Sequence, residues 1–353
     1  MTESSTPILR PMSLGELLDR AIRLYRQNFF KFIGIFAIPY IPLAIIQAAL
    51  SILSTTSIVQ ATNNSTSPED ILTSSGWIAA ATGGFLVLFV QFIFVQGVAT
   101  AALTRAVANN YTGKPVDILD SYRTLSTSWL KLVLTLVLIS ILVMILGIWT
   151  VIPIIGWLSG PGILLFITLA VSPLIPAVIT LENNDIFSSI RRAWDLARSR
   201  FWWIVGCALV LALFGWLITS GPIFLMNWIL QYAMSFIPGS FESQLVITSV
   251  IQNLITIFTS LLYVPLNLTI MTVVYFDLRT RYEGLDLALQ MPGSTDPENQ
   301  VISLPEISAK TETPLITGID IGRFILLSMA VIAVFALFFL VFFGIFGLAA
   351  AGL

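Results

Sequence analysis

Residues 132–151 read LVLTLVLISILVMILGIWTV, a run without a single charge. The hydrocarbon core of a bilayer is about 30 Å thick, and about 20 apolar residues in a helix cross it. The run is too long for a strand. A segment surrounded by lipid must also satisfy its own backbone hydrogen bonds, so the stretch is read as a transmembrane α-helix. Working outward, six more stretches share its character: 32–53, 77–104, 161–181, 201–226, 245–276 and 324–349. None contains Asp, Glu, Lys or Arg. The last is rich in phenylalanine, with Phe335, Phe338, Phe339, Phe342, Phe343 and Phe346. In the fifth, Gly221-Pro222 is expected to end the helix and start an outer interfacial piece toward Pro238-Gly239.

Composition agrees. Of 353 residues, 17 are Lys or Arg and 19 are Asp or Glu, so 10% are charged, against roughly 25% in soluble domains. Hydrophobic residues make up 57%, and mean hydropathy is +0.93. Such a chain cannot cover itself with a water-soluble surface. There is no histidine, which excludes histidine proton relays, histidine-ligated metals and histidine-based triads. The single cysteine, Cys207, excludes an internal disulfide. A formal net charge of -2 gives no case for nucleic acid as a partner. No phosphate loop, CxxC, GxSxG or HExxH occurs. No catalytic residue, metal ligand or cofactor site is assigned.

Orientation follows from the basic residues. They occur at Arg10, Arg20, Arg23, Arg26 and Lys31, then Arg105, Lys114, Arg123 and Lys131. Arg191, Arg192, Arg198 and Arg200 come next, then Arg279, Arg281, Lys310 and Arg323. All 17 therefore fall on alternate connections. The connections between them carry only Glu69, Asp70 and Glu242. The N-terminus is expected in the cytoplasm, the first span acts as an uncleaved anchor, and the C-terminus lies outside after seven spans.

Three cytoplasmic segments read as amphipathic helices running into a span. The first opens on a capping box, Ser13-Leu14-Gly15-Glu16. Leu14, Leu17, Leu18, Ala21, Leu24 and Tyr25 share one face. Glu16, Asp19, Arg20, Arg23 and Gln27 share the other. The second runs from Pro115, with Ile118, Leu119, Tyr122 and Leu125 apolar. The third starts near Asp185, with Ile186, Phe187, Ile190, Ala193, Trp194 and Ala197 apolar. Each meets the membrane through aromatics: Phe29-Phe30, Trp129, and Phe201-Trp202-Trp203. Arg20-Ala21, Leu24, Arg26 and Phe29 align without a gap on Arg192-Ala193, Leu196, Arg198 and Phe201. The expected fold is an all-α integral membrane protein. Its six-helix core is built from three parallel repeats, each an interfacial helix plus two spans, with approximate threefold pseudo-symmetry. This core covers residues 1–287. Residues 288–320 read as an acidic, proline-rich cytoplasmic linker. A C-terminal transmembrane helix, 321–353, is expected to hang beyond it as an appendage.

The run Arg10-Pro11-Met12-Ser13-Leu14-Gly15-Glu16-Leu17-Leu18-Asp19-Arg20-Ala21 resembles the entry segment of the glycerophosphoryl diester phosphodiesterase membrane-domain family. The run Tyr275-Phe276-Asp277-Leu278-Arg279-Thr280-Arg281-Tyr282-Glu283-Gly284-Leu285-Asp286-Leu287 resembles the same family. Together they bracket residues 10–287. The resemblance implies a bacterial inner-membrane protein of poorly defined role. Some relatives carry a catalytic domain that uses two histidines and metal-binding carboxylates. This chain has neither the histidines nor that domain, so no activity is carried over.

Two constellations stand out. Glu16, Asp19, Arg20 and Arg23 precede span one, and Asp277, Arg279, Arg281 and Glu283 follow span six. They form either a recognition surface for a partner or anionic headgroups, or a set of pairs across the seam that closes the bundle. The most economical pairing sets Arg20 or Arg23 against Asp277 or Glu283. The second constellation is proline within spans: Pro39 and Pro42, Pro173 and Pro176, and Pro265 with nearby Asn267. Proline frees carbonyls one turn earlier, and such breaks either line a cavity or kink a packed helix.

Two functional readings follow. One is a scaffold or regulator of an envelope process, whose partners are membrane lipids and another membrane or cytoplasmic protein. The other is a permease or binding protein for lipids or other amphiphiles. An interior filled by side chains favours the first, and an open lateral groove favours the second.

Overall fold

The computed structural model describes residues 11–64, 75–125, 127–182, 184–234, 241–285, 314 and 316–350. Among these residues the structure is helical and without strands. In chain order the elements are α1 (Leu14–Gln27), α2 (Phe29–Asn64), α3 (Ser75–Gln91), a π-helical segment (Phe92–Ala99), α4 (Thr100–Tyr111), α5 (Ile118–Arg123), α6 (Ser128–Trp149) and α7 (Ile155–Phe166). A second π-helical segment (Ile167–Val171) and a 3-10 turn (Ser172–Leu174) lead to α8 (Ile175–Glu182), α9 (Ile186–Ser199), α10 (Phe201–Met234), α11 (Phe241–Glu283) and α12 (Gly318–Ala350). Seven helical stretches are long and apolar enough to cross a membrane: Phe29–Gln60, Trp77–Tyr111, Ser128–Trp149, Ile155–Glu182, Phe201–Ala233, Ser243–Glu283 and Gly318–Phe343. Each contains the bulk of one uncharged stretch. The acidic linker expected at 288–320 lies outside the described residues as far as 313, and the 235–240 connection lies outside them too.

Several of these stretches exceed what a bilayer needs. Ser243–Glu283 has 41 residues, about 60 Å at 1.5 Å per residue. Gly97 packs against Trp129 and Val133 at the start of α6. Residues 100–111 therefore lie beyond the level at which span three enters the membrane. The ends of the even-numbered spans, α4, α8 and the last turns of α11, pack on one another and form a base. Helix α1 packs on α11, α5 on α4 and α2, and α9 on α8 and α6. Wrapped in this way, α4 is buried nearly all round, with Ala101, Ala102, Leu103, Ala106, Val107 and Ala108 fully enclosed. We call this the basic end, because it holds the described Arg and Lys residues.

Around the bundle α2 packs on α3 and α11, the segment 92–99 on α6, α6 on α7, the segment 167–171 on α10, and α10 on α11. The six spans close a ring in which first and last are neighbours. Core residues run from the basic end to about Ala44, Val95, Ile139, Phe166, Leu211 and Thr259. Farther out, α3 exposes Phe85, Leu86, Leu88 and Phe89, and α6 exposes Ile141, Leu142, Met144, Ile145 and Ile148. Outside water there is no hydrophobic force between helices, so dense burial gathers where the chain leaves the lipid.

Three expectations are corrected. Helix α10 continues through Pro222 to Met234, so the fifth span does not end at Gly221. The middle interfacial helix α5 has only 6 residues, Ile118–Arg123, shorter than the amphipathic run expected from Pro115 to Leu125. The seventh helix is not a loose appendage. Helix α12 packs along α7, and a Cβ on Gly162 would lie 2.1 Å from the Phe324 carbonyl oxygen. The Gly162 N–H donates to Ser328 Oγ at 2.7 Å. Phe324 packs among Phe166, Trp194 and Phe201.

Candidate functional site

At the seam between the two ends of the core, Asp277 sits on α11, 1% exposed. It accepts the Met12 N–H at 2.8 Å and pairs with Arg281 Nε at 2.9 Å. Arg281 also donates to the Met12 carbonyl. The extended segment before α1 is thereby fastened to the last core helix. The seam exists, but with other partners than the sequence suggests. Arg20 stacks over the Tyr111 ring at 4.5 Å and reaches Met12 Sδ at 3.8 Å. Neither Arg20 nor Arg23 makes the expected pair with Asp277 or Glu283, because α1 turns Leu17, Ala21 and Tyr25 toward α11. Glu16 completes the capping box, accepting from Ser13 N–H at 3.1 Å. Asp19 and Arg23, with Ile22, Arg26 and Gln27, line a shallow hollow of about 560 Å³ on the other face of α1.

A second cluster joins span four, α9 and span six. Arg279, fully buried, pairs with Glu283 at 2.7 Å and lies 3.6 Å from Glu182. Arg192 bridges the same acids, at 3.0 Å to Glu182 and 2.5 Å to Glu283. The Tyr275 hydroxyl donates to Glu182 at 2.7 Å and accepts from Arg279 at 3.2 Å. Two cations face two anions, so the cluster is neutral, and each group is held by hydrogen bonds. Such a network ties helices in one arrangement more than it lowers the free energy of the fold. Sequence reasoning placed Arg279 and Glu283 correctly at the exit of span six but missed Glu182, Arg192 and Tyr275 as their partners. The available signal was Glu182 directly at the end of an uncharged stretch. Arg192 is held protonated by these two carboxylates despite its burial.

Of the proline positions, Pro176 and Pro265 are buried, Pro39 and Pro173 half-buried, and Pro42 exposed. Pro39 and Pro42 lie within continuous α2. Pro39 has no N–H for the Ile35 carbonyl, and the Tyr122 hydroxyl donates to it instead. Pro265 lies within continuous α11. In the turn it loosens, the Tyr25 hydroxyl donates to the Leu262 carbonyl at 3.0 Å. Burial pushes both phenols up to about 12, which keeps them donors at any physiological pH. Asn267 is half-buried two residues beyond. Pro173 and Pro176 accompany the irregular stretch 167–174, walled by Ala170, Val171, Leu174 and Ile175. Here a real departure from α-helix occurs, and it sits in the core.

In the outer half, Asn253 Nδ2 donates to Ser51 Oγ at 2.8 Å, between spans six and one. Gln252 donates to Asn227 Oδ1 at 2.7 Å, between spans six and five. These amides tie neighbouring helices. Among the described residues no group of three His, Cys, Asp or Glu side chains could hold a metal ion. No family model, curated protein or solved structure matches this chain.

Proposed function

We propose that this is a membrane scaffold or regulator built on three parallel repeats, with its basic end in the cytoplasm. The observation that carries the functional reading is the base. It seals the bundle axis with fully enclosed Ala102, Val178, Val273 and their neighbours, and the ion cluster around Arg279 ties span four, α9 and span six together. A solute entering between the spans meets solid packing there. The repeat is supported by the recurrence of one contact: each interfacial helix packs on the end of an even-numbered span, α1 on α11, α5 on α4 and α9 on α8. Two of those ends also close alike, with Tyr111-Thr112-Gly113 and Tyr282-Glu283-Gly284 placing a glycine at positive φ after the helix. Cytoplasmic placement rests on the positive-inside rule. The family resemblance, with the bacterial inner membrane it implies, belongs to this proposal and brings no activity.

The apolar surface that α3 and α6 expose in the outer half supports a second reading, a binding protein for lipids or other amphiphiles. One experiment separates it from transport. Single cysteines at Ala102, Val178 and Val273 in a Cys207→Ser background are probed with a membrane-impermeant maleimide from each side of oriented vesicles. Protection of all three under every condition is expected. Labelling from the basic side would show that the base opens, and the permease reading would replace the scaffold.

A further inference from the structure

The last core helix is loosened at one turn, and another helix bridges that turn. Pro265 lies inside α11, a helix of 43 residues, and has no N–H for the Leu261 carbonyl. Helix α1 packs along α11 and is fastened on both sides of this proline. On the base side, the Met12 N–H donates to Asp277 Oδ1 at 2.8 Å. On the outer side, the Tyr25 hydroxyl donates to the Leu262 carbonyl at 3.0 Å. The lengths agree. Positions 262 to 277 of α11 cover about 22 Å, and the 14 residues of α1 cover about 21 Å. Between the two ends, Leu17 and Ala21 are fully buried. The Tyr25 ring is held edge-on to Phe29, at the start of span one, with centroids 5.3 Å apart.

Helix α5 gives the contrast. Its Tyr122 hydroxyl donates to the Ile35 carbonyl, one turn before Pro39. Its other holds on span one are the Val116 carbonyl, which accepts from Lys31 at 3.0 Å, and Ile118 against Gly34. All three lie on the base side of Pro39, so α5 props that turn without crossing it. Helix α1 crosses its turn. It is joined to span one by a single non-helical residue, Asn28, with φ -118° and ψ 25°. Its other face exposes Ile22, Arg23 and Arg26. Beyond Pro265, span six carries Asn253 and Gln252, which are bonded to spans one and five. We propose that α1 is a splint across the Pro265 turn with Tyr25 as its latch, so that displacing α1 at the basic end frees the outer half of span six to swing against spans one and five. The device depends on neither the scaffold nor the binding-protein reading.

The test uses the full chain in nanodiscs, with Cys207→Ser and spin labels on Leu254→Cys and Phe187→Cys, both exposed positions. Double electron–electron resonance then reads the distance from outer span six to the basic end. One narrow distribution is expected for this parent. Tyr25→Phe should shift or broaden it by about 6 Å, the swing of Leu254 when a bend of about 20° opens at Pro265. Asp277→Ala, which frees the other end of the splint, should do the same. Adding Pro265→Ala to either should restore the narrow distribution, because a backbone N–H then closes the turn. Tyr122→Phe should leave it as in the parent. Circular dichroism and monodispersity show which variants are folded, and either end of the splint serves if the other variant is lost. An unchanged distribution in a folded Tyr25→Phe or Asp277→Ala chain overturns the splint. Broadening that persists with Pro265→Ala, or that Tyr122→Phe also produces, overturns it as well, because the looseness would then lie outside this turn.

Discussion

Ile154 has φ 66° and ψ -68°, and the Ile155 N–H donates back to the Pro153 carbonyl at 2.8 Å. This is a γ-turn in its strained form, and a β-branched residue tolerates it poorly. Ile154 is 70% exposed, so little packing is lost on substitution. Ile154→Gly should therefore raise stability, by up to about 1 kcal/mol, read as a higher midpoint in thermal unfolding in detergent. Asp195 responds to pH. Burial raises its carboxyl above the usual range, while Arg198, Arg191 and Arg192 partly oppose that. A raised folded value means that the charged form is disfavoured in the fold, so this group's contribution declines as pH rises through that value. Asp195→Asn should match or exceed the wild type near neutral pH, with the difference shrinking as pH falls and the wild-type carboxyl protonates. A lower midpoint for the variant at every pH would refute this. Asp277 acts through its contacts: it holds both Met12 N–H and Arg281, and Asp277→Ala should cost about 1–3 kcal/mol and open the Met12 segment to proteolysis.

Among the elements, the capping box of α1 and the uncharged character of each span are read directly from neighbouring residues. The two π-helical segments are not. The stretch 92–99 contains no proline, and its register shift is seen only once Gly97 lies against Val133. The tyrosines that serve the proline turns are equally illegible in advance. Tyr122 and Ile35 are 87 positions apart, and no local pattern links them. Tyr122→Phe should orphan the Ile35 carbonyl and cost about 1–2 kcal/mol, measured by unfolding of the purified chain. Helix α12 offers a sharper test. Gly162→Leu would drive a side chain into the Phe324 carbonyl and Ser328. A disulfide engineered between α7 and α12 should form readily in the parent chain and fail in this variant.

At the scale of the whole molecule, the docking of α12 changes the expected behaviour of a truncated chain. A mere appendage could be removed without loss to the core. Removing residues after 290 would instead strip Phe324 and Ser328 from Gly162, Phe166 and Phe201, and leave Arg198 without Asp320. The truncated protein should insert but unfold at lower temperature and aggregate sooner in detergent than the full chain. Equal behaviour of the two would mean that α12 adds nothing to the core.

The sequence by itself determined the all-helical class and the seven helices long and apolar enough to cross a membrane, because lipid demands long uncharged helices. That rule acts locally along the chain. The sequence also marked Asp277, Arg279, Arg281 and Glu283 as the charges that meet at the exit of span six. Tertiary structure alone decided their partners, the sealed base and the docking of α12. Those depend on which helix faces lie together, and between helices in lipid that choice rests on small residues such as Gly162 and on single polar contacts, whose positions carry no periodic signal.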